Sequence, residues 1–478
     1  MMKFTPLPQQ NMDTRKIYIA KDPGIKDYHM EIDGFKREWK EYIPSYYSQD
    51  KKWPVLFSLH GGDINSAYKF TWPMMAERDG FIVVYPQSIS TEIMWNVFGA
   101  HTREEGFPDD MVYLNTLVDI ISEKYSVDKT RFYIHGQSFG DITAMWYLME
   151  HSEKFAAAAP SSGPSPASNY FDEAGMPKVI PSAALPIVRS HGSYDLLMPG
   201  VEVPEDFSAD DACRLKFFAS QLANLEVWKQ RNGIRPDAVP QLAVRGNWNV
   251  MYWQQDDGLD VGYVATQEYE HNPHPDFADL LWSYFLSAYS RVDGKVIKGR
   301  PVREFEFNRD NVALADGSDT AYVGGKLIRM DGAAHFKSSK LFPKGYMYTP
   351  VNLFAQAYGA SVELEDEGMS ACISLNGKCV QVAAGIRGAI VDGTSVRMLP
   401  ISLDIDGKLY VAFGEVAELL LGTYTYDRAG AAYVSRERGT LTMDMALMIR
   451  CILGVEKDTT PASWVALEKK YSNGEVWY

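Results

Sequence analysis

Ser138 stands in Gly136-Gln137-Ser138-Phe139-Gly140, a G-x-S-x-G run entered from the apolar stretch Phe132–His135 and left through Ile142–Leu148. A serine hydroxyl attacks poorly unless a base takes its proton and an acid orients that base. Downstream, Asp195 ends the run Leu185–Asp195, and His271 follows the run Val261–Thr266. Serine, acid and histidine thus appear in the chain order of a nucleophile-elbow acyl-transfer site, each at or just past an apolar run. Gly136 and Gly140 leave the room that a tight strand-to-helix reversal demands two residues either side of the serine. A helix beginning after Ser138 directs its first amides toward the serine, so the Phe139 amide is one candidate oxyanion donor. The turn His60-Gly61-Gly62-Asp63, closing the apolar run Pro54–Leu59, offers the second, through Gly61 or Gly62.

Competing assignments exist for each role. His274 lies three residues beyond His271 and is the alternative base, and Asp141 or Asp211 could replace Asp195 as the acid. His60, His135 and His191 also close apolar runs, but each abuts a glycine turn and reads as structural. Trp95, Trp72 and Phe139 could line a pocket for an aryl or sugar group, against the default of core packing for aromatic side chains.

These residues need a scaffold, and the flanking patterns describe one. Pro54–Leu59, Gly80–Pro86, Arg131–His135, Phe155–Pro160, Leu185–Ser190 and Val261–Thr266 are short continuous apolar runs suited to buried parallel strands. Between them, Ala67–Arg78, the stretch from Asp109 with Met111, Leu114, Leu117, Val118 and Ile121, Lys216–Gln230 and Phe277–Tyr289 carry helical spacing. Phe35–Pro44 alternates like an edge strand closed by proline. Strand and helix alternate, so the fold class is α/β with a mostly parallel central sheet covered on both faces. Such sheets place their sites at the carboxyl ends of the strands, where all three candidate residues fall.

The chain has 478 residues and a formal net charge of -15, which disfavours nucleic acid and anionic membrane surfaces as partners. Four cysteines, Cys213, Cys372, Cys379 and Cys451, show no C-x-x-C spacing, so neither a metal nor another cofactor is expected. Cys372 and Cys379 flank an Asn376-Gly377 turn; pairing Leu375 with Lys378 sets Cys379 opposite Ser374 and leaves the cysteines diagonal, an unfavourable disposition for a disulfide. No stretch is long and apolar enough to span a bilayer. The N-terminus lacks the apolar core of a signal peptide, so either the protein is cytoplasmic or a signal has been replaced by a start methionine, leaving an extracellular location open.

Leu59-His60-Gly61-Gly62, Trp95-Asn96, Asp109-Asp110, Tyr125–Ser138, His191-Gly192-Ser193-Tyr194-Asp195 and His271 ahead of Trp282 together resemble the polyhydroxybutyrate depolymerase and feruloyl esterase family over roughly residues 30 to 291. The resemblance implies an α/β-hydrolase fold and ester hydrolysis through an acyl-serine, with Ser138 as nucleophile, Asp195 as acid and His271 as base. Two positions depart from the family pattern. Asp141 stands where a small residue is usual, so it could meet the substrate, repelling acidic ones, or cap the helix; Glu270 replaces the glycine that often precedes the histidine. The expected substrates are feruloyl or acetyl esters of plant cell-wall polysaccharides. Polyhydroxyalkanoate is an alternative, and a non-catalytic glycan-binding protein on a hydrolase scaffold is an alternative of another class.

Residues 1–291 form the expected esterase domain and 292–320 a linker. Over 321–440 the chain repeats itself: Gly345–Val351, Phe354–Gln356 and Val362–Glu365 are echoed by Gly407–Phe413, Val416–Glu418 and Tyr424–Asp427. Each unit reads as strand, short helix and hairpin, two of which share one core. The pattern resembles the stalk domain named after the N-terminal part of copper amine oxidases, often appended to secreted bacterial proteins, which implies a spacing, binding or dimerising module and a possible homodimer. With His335 as its one histidine, the region offers no copper site. The tail, 441–478, reads as two short helices, Met443–Gly454 and Ser463–Tyr471.

Overall fold

The structure, a computed structural model, describes residues 24–62, 70–89, 95–96, 108–195, 217–267, 271, 274, 276–339 and 342–471. Asp63, Asp211, Cys213, Glu270 and the start of the Ala67–Arg78 stretch lie outside the described residues. The chain divides into two compact units. Of the described residues, the first contains those from Gly24 to Ala238, Tyr252–Phe305 and those from Thr460 to Tyr471; the second contains Val239–Met251 and Glu306–Thr459.

The first unit is built on β1 (Ile25–Ile32), β2 (Phe35–Tyr42), β3 (Trp53–Leu59), β4 (Ile82–Pro86), β5 (Val127–Gly136), β6 (Ala157–Ala158) and β7 (Ile187–Gly192). β8 (Gln241–Arg245) and most of β9 (Trp248–Trp253) fall in the second unit's Val239–Met251, and β10 (Val261–Thr266) completes the first unit's set. The order β1-β2-β4-β3-β5-β6-β7-β10 is parallel from β4 to β10. This is the α/β-hydrolase arrangement. β2 is antiparallel to both β1 and β4, so the Phe35–Pro44 stretch is not the edge strand expected from its proline. The edge is β1, most of whose residues are exposed. Every residue of β3, β4, β7 and β10 is buried, as continuous apolar runs between two helical layers must be.

Helix α1 covers Trp72–Asp79, α2 Asp110–Lys124 and α3 Phe139–His151. Asp109 caps α2, its carboxylate accepting from the Met111 and Val112 amides at 2.8 and 3.3 Å, and Met111, Leu114, Leu117, Val118 and Ile121 form the buried face. α3 is buried from Gly140 to Met149, as a helix apolar on all sides must be. The expected helix Phe277–Tyr289 is shorter: it ends at Tyr284, and Tyr289–Val292 is instead a strand paired with Lys295–Lys298.

The chain assigned to a linker is therefore structured. Its first part belongs to that hairpin of the first unit, and Val312–Ala315 is the central strand of a five-stranded sheet in the second. In the second unit the sequence repeat appears as Phe342–Pro350, helix Leu353–Tyr358 and the hairpin Ser361–Glu365/Ser370–Leu375, then Lys408–Ala412, helix Phe413–Leu421 and the hairpin Tyr424–Arg428/Ala431–Ser435. Their apolar faces share one core that includes Leu353, Phe354, Ile373, Val411, Phe413, Val416 and Val434. Ser374 faces Cys379 across the Asn376-Gly377 turn, and Cys372 and Cys379 are free thiols. The two tail helices part company: Met443–Ile452 groups with the second unit, Pro461–Tyr471 with the first. Among the described residues no helix is long and apolar enough to cross a membrane.

Candidate active site

Strand register brings the site together. Leu59 of β3 lies beside Gly136 of β5, so His60-Gly61 and Gln137-Ser138 leave the sheet side by side; the Gln137 amide donates to the Leu59 carbonyl at 3.1 Å. Likewise Gly192 of β7 lies beside Thr266 of β10, so the segments carrying Asp195 and His271 leave together, tied by the Ser193 amide donating to the Thr266 carbonyl at 2.9 Å.

Ser138 itself has φ 59° and ψ -122°, a conformation that non-glycine residues rarely adopt. The turn closes so tightly that a Cβ on Gly136 would stand 2.0 Å from the Gly140 carbonyl oxygen, and one on Gly61 would stand 2.7 Å from the Ser138 Cβ. Backbone bonds hold the strain: the Ser138 amide donates to the Ser161 carbonyl at 2.9 Å, and the Ser138 carbonyl accepts from the Asp141 and Ile142 amides.

His271 Nε2 lies 2.6 Å from Ser138 Oγ, and His271 Nδ1 lies 3.0 Å from Asp195 Oδ2. Asp195 is buried, whereas the His271 side chain keeps 29% of its surface exposed. Such geometry suits proton transfer from a hydroxyl to an imidazole that a carboxylate orients. Among the described residues no group of three or more histidine, cysteine, aspartate or glutamate side chains could hold a metal ion.

The Esterase family model matches residues 34–272, half of the chain. The chain belongs to the esterase family. Over 275 residues this esterase is 29% identical to the bifunctional acetylxylan esterase/xylanase XynS20E of Neocallimastix patriciarum, covering 57% of this chain and 36% of that one. It is 28% identical over 125 residues to feruloyl esterase B of Thermothelomyces thermophilus, covering 26% of this chain and 42% of that one. The esterase thus spans under half the length of these curated relatives. Among solved structures, an acetyl xylan esterase from Aspergillus awamori matches with a TM-score of 0.40 at 16% identity, over 54% of this chain and 98% of that one.

Of the other candidate residues in this esterase, His274 does not share the Ser138 contact: its Nδ1 accepts from the Asp276 amide at 3.1 Å. His135 is buried edge-on to Phe70 and Trp72, bonded to Ser58, and burial pushes its pKa down to about 3. His60 lies between the Gly61 carbonyl and the Ser88 amide. Trp72 is fully buried in that His135 cluster, and Trp95 is buried with its indole N–H donating to the His60 carbonyl at 3.0 Å. Both tryptophans are therefore framework under the turn rather than walls of a substrate pocket. Phe139 opens α3 directly after Ser138; Gly61 is buried beside the elbow and Gly62 is exposed.

Asp141 is the clearest correction. It is fully buried and faces no solvent from which a substrate could approach. Its carboxylate accepts from both terminal nitrogens of Arg189, at 3.1 and 2.7 Å, and from the Gly163 amide at 2.8 Å. Arg189 lies on β7, the strand that leads to Asp195, so one ion pair ties the helix that follows Ser138 to that strand. Arg189 and Gln137, whose side-chain amide bonds the His271 carbonyl, were not singled out from sequence. The usable signals were an arginine inside an otherwise apolar strand run and an amide next to the nucleophile.

Proposed function

We propose that the protein is a serine carboxylesterase acting on acetyl or feruloyl esters of plant cell-wall polysaccharides. The observation that carries this reading is the continuous chain Ser138–His271–Asp195 at 2.6 and 3.0 Å on the strand ends of an esterase-family fold. Ser138 Oγ attacks the ester carbonyl carbon as His271 Nε2 takes its proton, and the bond from Oγ to carbon forms as the carbonyl π electrons move onto oxygen. That oxyanion is held by the Phe139 amide and by an amide of the Gly61-Gly62 turn, where the missing Cβ of Gly61 lets the backbone approach the serine. Collapse breaks the bond to the alcohol, which leaves with the proton from His271. Water, deprotonated by the same nitrogen, then attacks the acyl-serine; the bond from carbon to Oγ breaks, Oγ takes the proton back from His271, and a carboxylic acid departs. Asp195 stays ionised, holding Nδ1–H and stabilising the imidazolium.

The xylan-ester and feruloyl-ester choice rests on what the relatives' names say of those proteins. The second unit is read as a spacing or binding module, supported by the repeated strand–helix–hairpin. Ser138→Ala is expected to abolish turnover of methyl ferulate and acetylated xylan with an unchanged melting temperature. Undiminished turnover on whichever ester the parent cleaves would overturn the assignment, and cleavage of a polyhydroxybutyrate film alone would move the substrate to polyesters.

A further inference from the structure

Gln137 precedes the nucleophile and is buried to 2% exposure. Its side chain does not pack into the apolar layer. Nε2 donates to the His271 main-chain carbonyl at 3.1 Å, and a Cβ built on Gly61 would fall 2.9 Å from its Oε1, so the carboxamide lies between the base's segment and the Gly61 turn. His271 leaves β10 at Thr266, and Asp195 holds only its ring. A ring held only through its two nitrogens can still swing with its backbone, and a shift of about 1 Å at the base can cost two orders of magnitude in rate.

We infer that Gln137 is a positioning residue: its carboxamide clamps the His271 backbone against the nucleophile elbow, with its oxygen side against the Gly61 turn, so that base, nucleophile and oxyanion turn move as one body. This rests on the catalytic reading of Ser138 and His271. The clamp is made by the residue rigidly coupled to the serine itself. Any displacement of the elbow therefore carries the base with it, and the 2.6 Å contact from Nε2 to Oγ is preserved. A methionine at 137 has nearly the same volume but no donor. A glutamate has the same shape, but when ionised it sets an acceptor against the His271 carbonyl.

The test compares Gln137→Met and Gln137→Glu with the parent full-length chain on a soluble aryl ester, with the rate of Ser138 labelling by a fluorophosphonate and the melting temperature as companion measurements. The expected result is a 10- to 100-fold fall in kcat for both variants, KM within about threefold of the parent, and a parallel fall in labelling rate. A residue that merely fills space would lower the melting temperature and leave kcat of the folded fraction alone. Either folded variant retaining kcat within twofold overturns the inference, as does a loss confined to KM, which would mark a substrate contact instead. Should one variant fail to fold, the other carries the same test. A parent chain that hydrolyses no ester and does not label at Ser138 overturns the catalytic reading itself, a result distinct from any difference between variants.

Discussion

Asp141 shows how one buried carboxylate can decide a site without touching substrate. Arg189 and Asp141 are both essentially inaccessible, so removing either leaves the other's charge stranded in the interior. Asp141→Asn and Arg189→Met are each expected to cost about 3–5 kcal/mol in urea unfolding. The double replacement Asp141→Leu with Arg189→Met should recover part of that loss, the coupling expected of groups in contact; strictly additive losses would show that the pair is not coupled. At the base, His271→Ala is expected to lower kcat by several orders of magnitude, whereas His274→Ala, at a histidine bonded to the Asp276 amide, should leave it within a few-fold. Equal losses would reopen the choice between the two. Ser138, Asp195 and His271, which the structure brings within hydrogen-bond distance of one another, could be singled out because each stands at or just past the end of an apolar run. The partner of Asp141 was not, because it lies 48 residues away on another strand and nothing local to either residue announces the pair.

Among the elements, those set by periodicity were readable and those set by tertiary contact were not. The buried face of α2 follows directly from its spacing, and the pairing of Ser374 with Cys379 follows from an Asn-Gly turn that fixes register. β6 shrinks to Ala157–Ala158, because a run of alanines carries neither the bulk nor the branching that marks a strand. The helix Pro461–Tyr471 gave no hint of its role. Its Glu468 is buried and caps the short helix Ala167–Tyr170, accepting from the Ala167 amide and, at 2.9 Å, from the Ser168 amide. Burial pushes the Glu468 pKa from an ordinary 4.5 up to about 7. The folded state therefore keeps a proton that the unfolded chain has released, and the stability this contributes is fully present below pH 4.5 and lost as pH rises through about 7. Glu468→Gln keeps an acceptor without the charge. Its melting temperature should match the parent's near pH 5 and exceed it above pH 7; parallel curves for the two proteins across that range would contradict the assignment.

At the scale of the molecule, the sequence suggests consecutive blocks, 1–291, 292–320, 321–440 and 441–478. The first unit instead recovers the chain from Thr460, and the second takes in Val239–Met251. Simple blocks follow from composition and repeats, which report what a segment is made of and not what it packs against. Within the first unit, Trp464 and Val465 are buried and Trp464 lies against Phe171 with ring centres 6.4 Å apart. Ending the chain at Thr459 therefore uncovers apolar surface and removes the Glu468 cap. The shortened protein is expected to melt several degrees lower and to lose ester turnover at temperatures the parent tolerates, as read by calorimetry and residual activity. An unchanged melting profile would show that the returning helix is dispensable.

That return sets a timetable for biosynthesis. Phe305 leaves the ribosome about 155 residues before Thr460 does, so at roughly 5–20 residues per second the nascent hydrolase unit waits on the order of ten to thirty seconds for the helix that covers Phe171. During that interval the uncovered surface is open to chaperones, and synonymous codon changes that slow translation between residues 306 and 459 would lengthen it without altering a single side chain.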